Sequence, residues 1–204
     1  VGNDKIGSVQ VTGSQLYPGS SANVAGNAVF ETGKASNYEV KYVNGTLKVT
    51  NRSTKYVINA QAPDGEYLYD GTGKTAEGVT YDQLTFDGKT YTVEGLESSL
   101  TKTDAGEYTT VITGTATVKD ADGNVVTDQF MVNSTDTGLL KIKPRPVTVK
   151  AASDEKEYDG SALTNDGWTV AEATEDSGLV GNDKIGSVQV TGSQLYPGSS
   201  ANVA

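Results

Sequence analysis

The 25 residues Val-Gly-Asn-Asp-Lys-Ile-Gly-Ser-Val-Gln-Val-Thr-Gly-Ser-Gln-Leu-Tyr-Pro-Gly-Ser-Ser-Ala-Asn-Val-Ala stand at positions 1–25 and again, without one substitution, at positions 180–204. Self-similarity at a fixed offset is the signature of an array whose units share one fold. The offset of 179 residues makes the chain one full period plus an overlap, a window on a polymer of domains. The competing explanation is a single segment duplicated on its own, with no larger period behind it.

What fills the period is β structure. Seven Asx-Gly pairs, from Asn44-Gly45 through Asp64-Gly65, Asp70-Gly71, Asp87-Gly88, Asp122-Gly123 and Asp159-Gly160 to Asp166-Gly167, supply positive φ angles suited to tight turns. Between them residues alternate with period two, and no useful stretch has helical periodicity. Tyr38, Val40 and Tyr42 on one face, followed after Asn44-Gly45 by Leu47 and Val49, predict a hairpin. Further strands are expected at 8–12, 56–60, 90–94, 107–113, 116–119, 125–132, 139–143 and 146–151.

A weaker repeat lies inside the long one. Tyr69-Asp70-Gly71-Thr72 returns as Tyr158-Asp159-Gly160-Ser161, 89 positions on, and Gly45-Thr46-Leu47-Lys48-Val49 matches Gly138-Leu139-Leu140-Lys141-Ile142, 93 positions on. Two diverged domains of one fold account for the unequal offsets. Domain A is complete over 53–143. Domain B is split, its closing strands at 1–52 and its opening strands at 144–204. Two-sheet antiparallel sandwiches suit domains of this size, and short joints stiffened by Pro144 and Pro146 favour an extended rod. Each half of domain B exposes an apolar face and unpaired backbone, so the opening strands of one unit are expected to be completed, head to tail, by the equivalent of 1–52 in a neighbouring repeat.

The Tyr-Asp-Gly-Ser/Thr signature, the Asn37-Tyr38-Glu39-Val40-Lys41-Tyr42-Val43-Asn44-Gly45-Thr46-Leu47-Lys48-Val49-Thr50 close and the Lys143-Pro144-Arg145-Pro146-Val147-Thr148-Val149 junction resemble the MBG or YDG-type repeats of bacterial surface proteins. The resemblance covers essentially the whole chain. Domain A departs from it where Asp136-Thr137-Gly138 replaces the Asn-Gly turn. It implies immunoglobulin-like stalk modules in long, wall-attached, adhesin-like proteins: an extracellular, bacterial cell-surface setting, no one ligand, and no catalytic residues; the partners expected are neighbouring repeats head to tail, with host glycan or protein met through a separate head domain.

Composition narrows the chemistry. The chain has no Cys and no His, which removes disulfides, thiolate nucleophiles and the commonest general base and metal ligand. A net charge of −10 with dispersed acids opposes nucleic-acid binding and keeps an exposed polymer soluble. No apolar run approaches the length of a membrane span.

Four constellations are weighed. Asp120, Asp122, Asn124 and Asp128 resemble the opening of a Ca²⁺ loop, yet the twelfth position is Met131 where a bidentate Glu is needed, which favours a hairpin turn and no cofactor. Lys, Asn and Asp on facing strands are the ingredients of an intramolecular isopeptide bond, with no buried triad singled out. Asn44, Asn51 and Asn133 begin glycosylation sequons that serve equally as turns. Trp168 aligns with Val79, which favours the core over a carbohydrate platform, and Tyr69 and Tyr158 are expected to pack inward and tie their turns. Together these point to a non-enzymatic spacer projecting an adhesive head. The rival is a set of repeats that bind host glycan or protein multivalently, marked by an exposed apolar patch recurring in every period.

Overall fold

A computed structural model describes residues 2–204. The chain is all-β: seventeen strands and two short 3₁₀ turns, with no α-helix among the described residues. It divides into two compact units, one of Val1–Tyr56 with Val126–Met131 and one of Val57–Val125 with Val132–Ala204. The second unit runs undivided through Lys143 and Pro144.

The first unit is a single sheet in the order β1 (Lys5–Thr12), β2 (Gly19–Thr32), β3 (Gly45–Val49). Its long central strand pairs antiparallel with β1 through Gly26–Thr32 and Val24–Ala25, and with β3 through Gly19–Asn23. Asn27, at φ 48°, marks the bulge where the two halves of β2 meet. Every residue of β1 is exposed, including Ile6, Val9 and Val11. The hairpin predicted at Asn44-Gly45 does not form. Residues 38–44 are not a strand, and β3 turns to β2. Side chains hold 38–44 along β2: Tyr38 stacks on Phe30 at 5.1 Å, and the Tyr42 hydroxyl accepts from the Ala28 amide at 2.9 Å. Elsewhere in the unit Tyr56 lies between the Phe130 ring and the Arg52 guanidinium.

The remaining strands are β4 (Tyr56–Gln61), β5 (Gly65–Leu68), β6 (Lys74–Glu77), β7 (Thr80–Tyr81), β8 (Thr85–Phe86), β9 (Lys89–Thr90), β10 (Thr92–Glu97), β11 (Ser99–Lys102), β12 (Gly106–Val111), β13 (Thr113–Lys119), β14 (Phe130–Asn133), β15 (Thr137–Lys143), β16 (Val149–Ala151) and β17 (Trp168–Val170). Their sheets run β14-β4-β7, β11-β6, β12-β15-β5, β10-β13, β8-β9 and β16-β17. The second unit's core is aliphatic: Ile58, Ala60, Ala76, Val118, Leu140 and Ile142 are buried, with Thr110 the buried hydroxyl among them. On β4 and β15 the buried residues alternate, Ile58 and Ala60 on one and Leu140 and Ile142 on the other, as half-buried strands require.

An antiparallel fold throughout was expected, and one pairing corrects this. β15 runs antiparallel to β12 but parallel to β5, with Leu140 opposite Gly65 and Ile142 opposite Tyr67. A strand between two edges must satisfy both rows of its backbone groups, and β5 reaches it from the opening of the domain rather than by a hairpin. Of the seven Asx-Gly pairs only four place their glycine at positive φ, at Gly71, Gly88, Gly123 and Gly160. Asp87-Gly88 alone forms the two-residue hairpin loop, with both φ angles positive and Phe86 opposite Lys89.

Candidate functional site

The two Tyr-Asp-Gly turns have one architecture. Asp70 Oδ1 accepts from the Thr72 amide at 2.9 Å and from Thr72 Oγ1 at 2.6 Å; Asp159 Oδ1 accepts from the Ser161 amide at 2.9 Å and from Ser161 Oγ at 2.7 Å. The glycine between stands at φ 78° in both, a left-handed angle that avoids a Cβ clash only without a side chain. A lysine completes each, Lys74 Nζ at 2.6 Å from Asp70 and Lys156 Nζ at 2.8 Å from Asp159, reaching the carboxylate from opposite directions along the chain. Lysine first, then the hydroxyl and the amide, hold both carboxyls well below the usual carboxylate range. The tyrosines differ from expectation. The Tyr69 hydroxyl donates to Asp183 Oδ2 at 3.0 Å, far along the chain rather than within its own turn, and Tyr158 is 61% exposed. Trp168 is half-buried opposite Ala151, and Val79 is half-buried too.

At the proposed cation loop, the Asp120 carboxylate is turned onto the turn itself. Its Oδ1 accepts from the Asp122 amide at 3.0 Å and the Asn124 amide at 2.9 Å, while the Gly123 amide closes on the Asp120 carbonyl at 3.0 Å. Lys119 and Val125 bridge across the turn. The Asp120 carboxylate is thus engaged by backbone amides, as in a hairpin turn, and no cluster of three metal-ligating residues occurs among the described residues. Asp128 lies in the 3₁₀ turn Thr127–Gln129. Lys74, Lys119, Lys141, Lys143 and Lys156 pair with carboxylates at positions that keep solvent access; none is buried against an asparagine. Asn133 donates to Asn59 Oδ1 at 2.7 Å, and Asn44 accepts from the Ala25 amide.

Arg145 is the residue that sequence reasoning passed over. The prolines on either side drew notice as stiffeners, but the guanidinium between them binds a loop: Nε donates to the Gly178 carbonyl at 3.0 Å, and one terminal nitrogen donates to the carbonyls of Thr174, Glu175 and Ser177 at 2.6, 3.0 and 3.2 Å. The Gly178 amide in turn donates to the Pro146 carbonyl at 2.8 Å. Carbonyl acceptors have no sequence signature, so only the cation itself was legible.

The duplicated segment offers a comparison inside one molecule. Where both copies have the same local partners they fold alike. Thr12 opposite Val24 becomes Thr191 opposite Val203; the Ser21 hydroxyl donating to the Ser14 carbonyl becomes Ser200 donating to Ser193; Gln15 Nε2 donating to the Tyr17 carbonyl becomes Gln194 donating to Tyr196. Gly19 and Gly198 stand at φ 143° and 145°. Where partners differ they diverge. Lys5–Thr12 is a strand because Gly26–Thr32 lies beside it, whereas 184–190 has no such neighbour and is coil. Ile6, Val9 and Val11 are exposed, while Ile185, Val188 and Val190 are half-buried.

The second copy also lines a cleft of about 680 Å³ between residues 152–165 and 192–202. It is tied to the opposite wall by a bridge between Leu163 and Gln194 and by Asn202 Nδ2, which donates to the Ala152 and Asn165 carbonyls at 2.9 and 2.8 Å. No strand pairs with residues 198–202 or 154–157 among the described residues. The cleft is lined by serine, asparagine and acidic side chains together with Tyr158, Leu163, Leu195 and Tyr196, and the unpaired edges along it can take backbone hydrogen bonds. Comparison of the chain with protein-family models, with curated proteins and with solved structures finds no match.

Proposed function

We infer that the chain is a segment of a structural stalk: tandem immunoglobulin-like domains, without catalysis or cofactor, that form a rod on a bacterial surface and space an adhesive head from it. The observation carrying this is that strand pairings recur in register, at the 89-residue offset of the internal repeat and again at an offset of 87. Ala60 opposite Tyr81 and Gln61 opposite Thr80 return, 89 positions on, as Val149 opposite Val170 and Lys150 opposite Thr169. The Asp82 amide bonded to the Asn59 carbonyl returns as the Ala171 amide on the Thr148 carbonyl. Thr92 opposite Lys119 and Glu97 opposite Thr113 correspond, 87 positions earlier, to Lys5 opposite Thr32 and Gln10 opposite Gly26. Two domains of one fold, A whole and B divided between the chain's two ends, account for all of these pairings, and an array of near-identical units is how a rod is lengthened with little new design.

Multivalent binding by the repeats themselves calls for an apolar patch recurring in every period. The exposed Ile6, Val9 and Val11 do not recur as such, since their equivalents in the second copy are half-buried; of the large apolar residues of the segment, Leu16 with Leu195 and Val24 with Val203 are exposed in both copies. Small-angle scattering from proteins of one, two and three periods tests the stalk. The maximum dimension is expected to rise by a constant increment per period. Growth that falls off as the units are added contradicts a rod, and retention of a two-period protein on a host-glycan array moves the function to the repeats.

A further inference from the structure

The cleft at 152–165 and 192–202 has the outline of an absent strand, and the complete domain elsewhere in the chain identifies it. In that domain β15 lies between β12 and β5. It faces β12 antiparallel, Gly106 opposite Ile142 and Thr110 opposite Gly138, and β5 in parallel, Leu140 opposite Gly65 and Lys141 opposite Glu66. It carries Leu140 and Ile142, 0% and 1% exposed, into the core. Two contacts show that the walls of the cleft are the equivalents of those flanking strands. The Leu163–Gln194 bridge stands where Lys74 opposes Lys102, and Asn202 donates to the Ala152 carbonyl where Thr110 Oγ1 donates to the Pro63 carbonyl. At these offsets β12 corresponds to residues 198–203 and β5 to 154–157, so the strand between them is the one missing.

Its counterpart by sequence is β3, and β3 already obeys the β12–β15 register. Gly19 opposite Val49 matches Gly106 opposite Ile142, and Asn23 opposite Gly45 matches Thr110 opposite Gly138. We propose that the cleft accepts the Gly45–Val49 strand of a second copy of this chain, which exchanges its own Gly19–Asn23 for the identical residues 198–202, antiparallel to them with Gly198 opposite Val49 and Asn202 opposite Gly45, and parallel to residues 154–157 with Leu47 opposite Asp154. The assignment rests on the head-to-tail repeat reading and adds to it the edge, the direction and the register.

The strand's side chains suit the place. Leu47 and Val49, only half-buried beside β2, take the positions of the fully buried Leu140 and Ile142. Gly45 takes that of Gly138, where a Cβ would run into the Pro63 carbonyl and Thr110 Oγ1; the Ala152 carbonyl and the Asn202 side chain occupy the same points in the cleft. Lys48 arrives opposite Glu155 as Lys141 stands opposite Glu66. Five residues paired on both sides satisfy two open rows of backbone groups at once, which is how a sheet edge binds an extended segment. The preceding stretch follows the same pattern: β14 lies beside β4, and residues 38–42, which form no strand in the first unit, are the sequence that leads into β3 as β14 leads toward β15.

The absence of Cys from the chain makes the register directly measurable. Opposed residues of antiparallel strands lie about 4.5–5.5 Å apart at Cα, within reach of a disulfide, and residues two positions away do not. The full chain carrying Ala201→Cys or Ser199→Cys is mixed, in a thiol–disulfide buffer, with a synthetic peptide of residues 36–52 carrying Thr46→Cys or Lys48→Cys. Matched pairs, Ala201 with Thr46 and Ser199 with Lys48, are expected to crosslink about tenfold faster than mismatched pairs, because pairing raises the local concentration of the two thiols. The full chain carrying Ala22→Cys has the same local sequence with β3 already opposite it, and it should crosslink only at the mismatched rate. A Gly45→Val peptide should lose the matched advantage. Equal rates for matched and mismatched pairs, or Ala22→Cys reacting as fast as Ala201→Cys, would overturn the assignment. Scattering from multi-period proteins reads the stalk separately: a rod with no matched crosslink refutes the cleft alone, and a matched crosslink without a rod refutes the stalk alone.

Discussion

Asp70 and Asp159 show how much of this fold is written one residue at a time. Each carboxylate gathers an amide, a hydroxyl and a lysine around a glycine at φ 78°, Asp70 half-buried and Asp159 exposed. Their folded pKa values are depressed, so whatever stability they add is fully present above the unfolded value of about 3.9 and is lost as the pH falls below it. A carboxyl-carbon NMR titration is expected to find both groups still ionised at about pH 3, where an unpaired aspartate is mostly protonated. Ordinary titration of either would mean that its lysine and hydroxyl bonds do not hold in solution. Burial separates residues that looked alike in sequence. Leu140→Ala removes a fully buried side chain and is expected to cost about 2–5 kcal/mol, whereas Tyr158→Ala, at an exposed position, should stay within about 0.5 kcal/mol. Urea unfolding of the two variants checks the contrast, and a Tyr158 loss as large as that of Leu140 would show the ring packed. The Tyr-Asp-Gly turn was legible because its bonds join neighbours in sequence. The placement of Tyr69 against Asp183 and of Arg145 against 174–178 was not, because tertiary approach alone creates those bonds.

At the scale of elements, β2 is the instructive case. It is the longest strand, yet Gly19-Ser20-Ser21 and Gly26-Asn27 gave it the composition of loops, and its less exposed face is made of Ser21, Asn23, Ala25 and Ala28 with Phe30 as the one large apolar side chain. Pairing on both sides and not side-chain propensity makes it a strand, the expected override of a weak β preference by context. The opposite error befell residues 38–44, whose alternation promised a strand that finds no edge to join. Strands with strong alternation and a core to face, such as β4 and β15, were legible from sequence. The loop 172–178 has no regular structure and depends on Arg145. Arg145→Ala is expected to speed hydrogen exchange at the Gly178 amide by about tenfold or more through loss of charge-assisted bonds to carbonyls, and Arg145→Lys should not restore it, since a single ammonium cannot span four acceptors. Rescue by lysine would show that charge alone anchors the loop.

For the molecule as a whole, the period matters more than any one element. A segment of 25 residues is one sequence in two structures, and the two differ in what pairs with it: residues 26–32 and 45–49 pair with the first copy, while 184–190 pairs with no strand among the described residues. The most direct measurement is therefore hydrogen exchange on the chain lengthened after Ala204 by a further copy of residues 26–52. Completion of the divided domain predicts that amides of residues 184–190 become as protected as those of Lys5–Thr12, and that protection appears at 154–157 and 198–202 as their edges are filled. If residues 184–190 exchange as fast with the added segment as without it, the two ends of the chain are not halves of one domain.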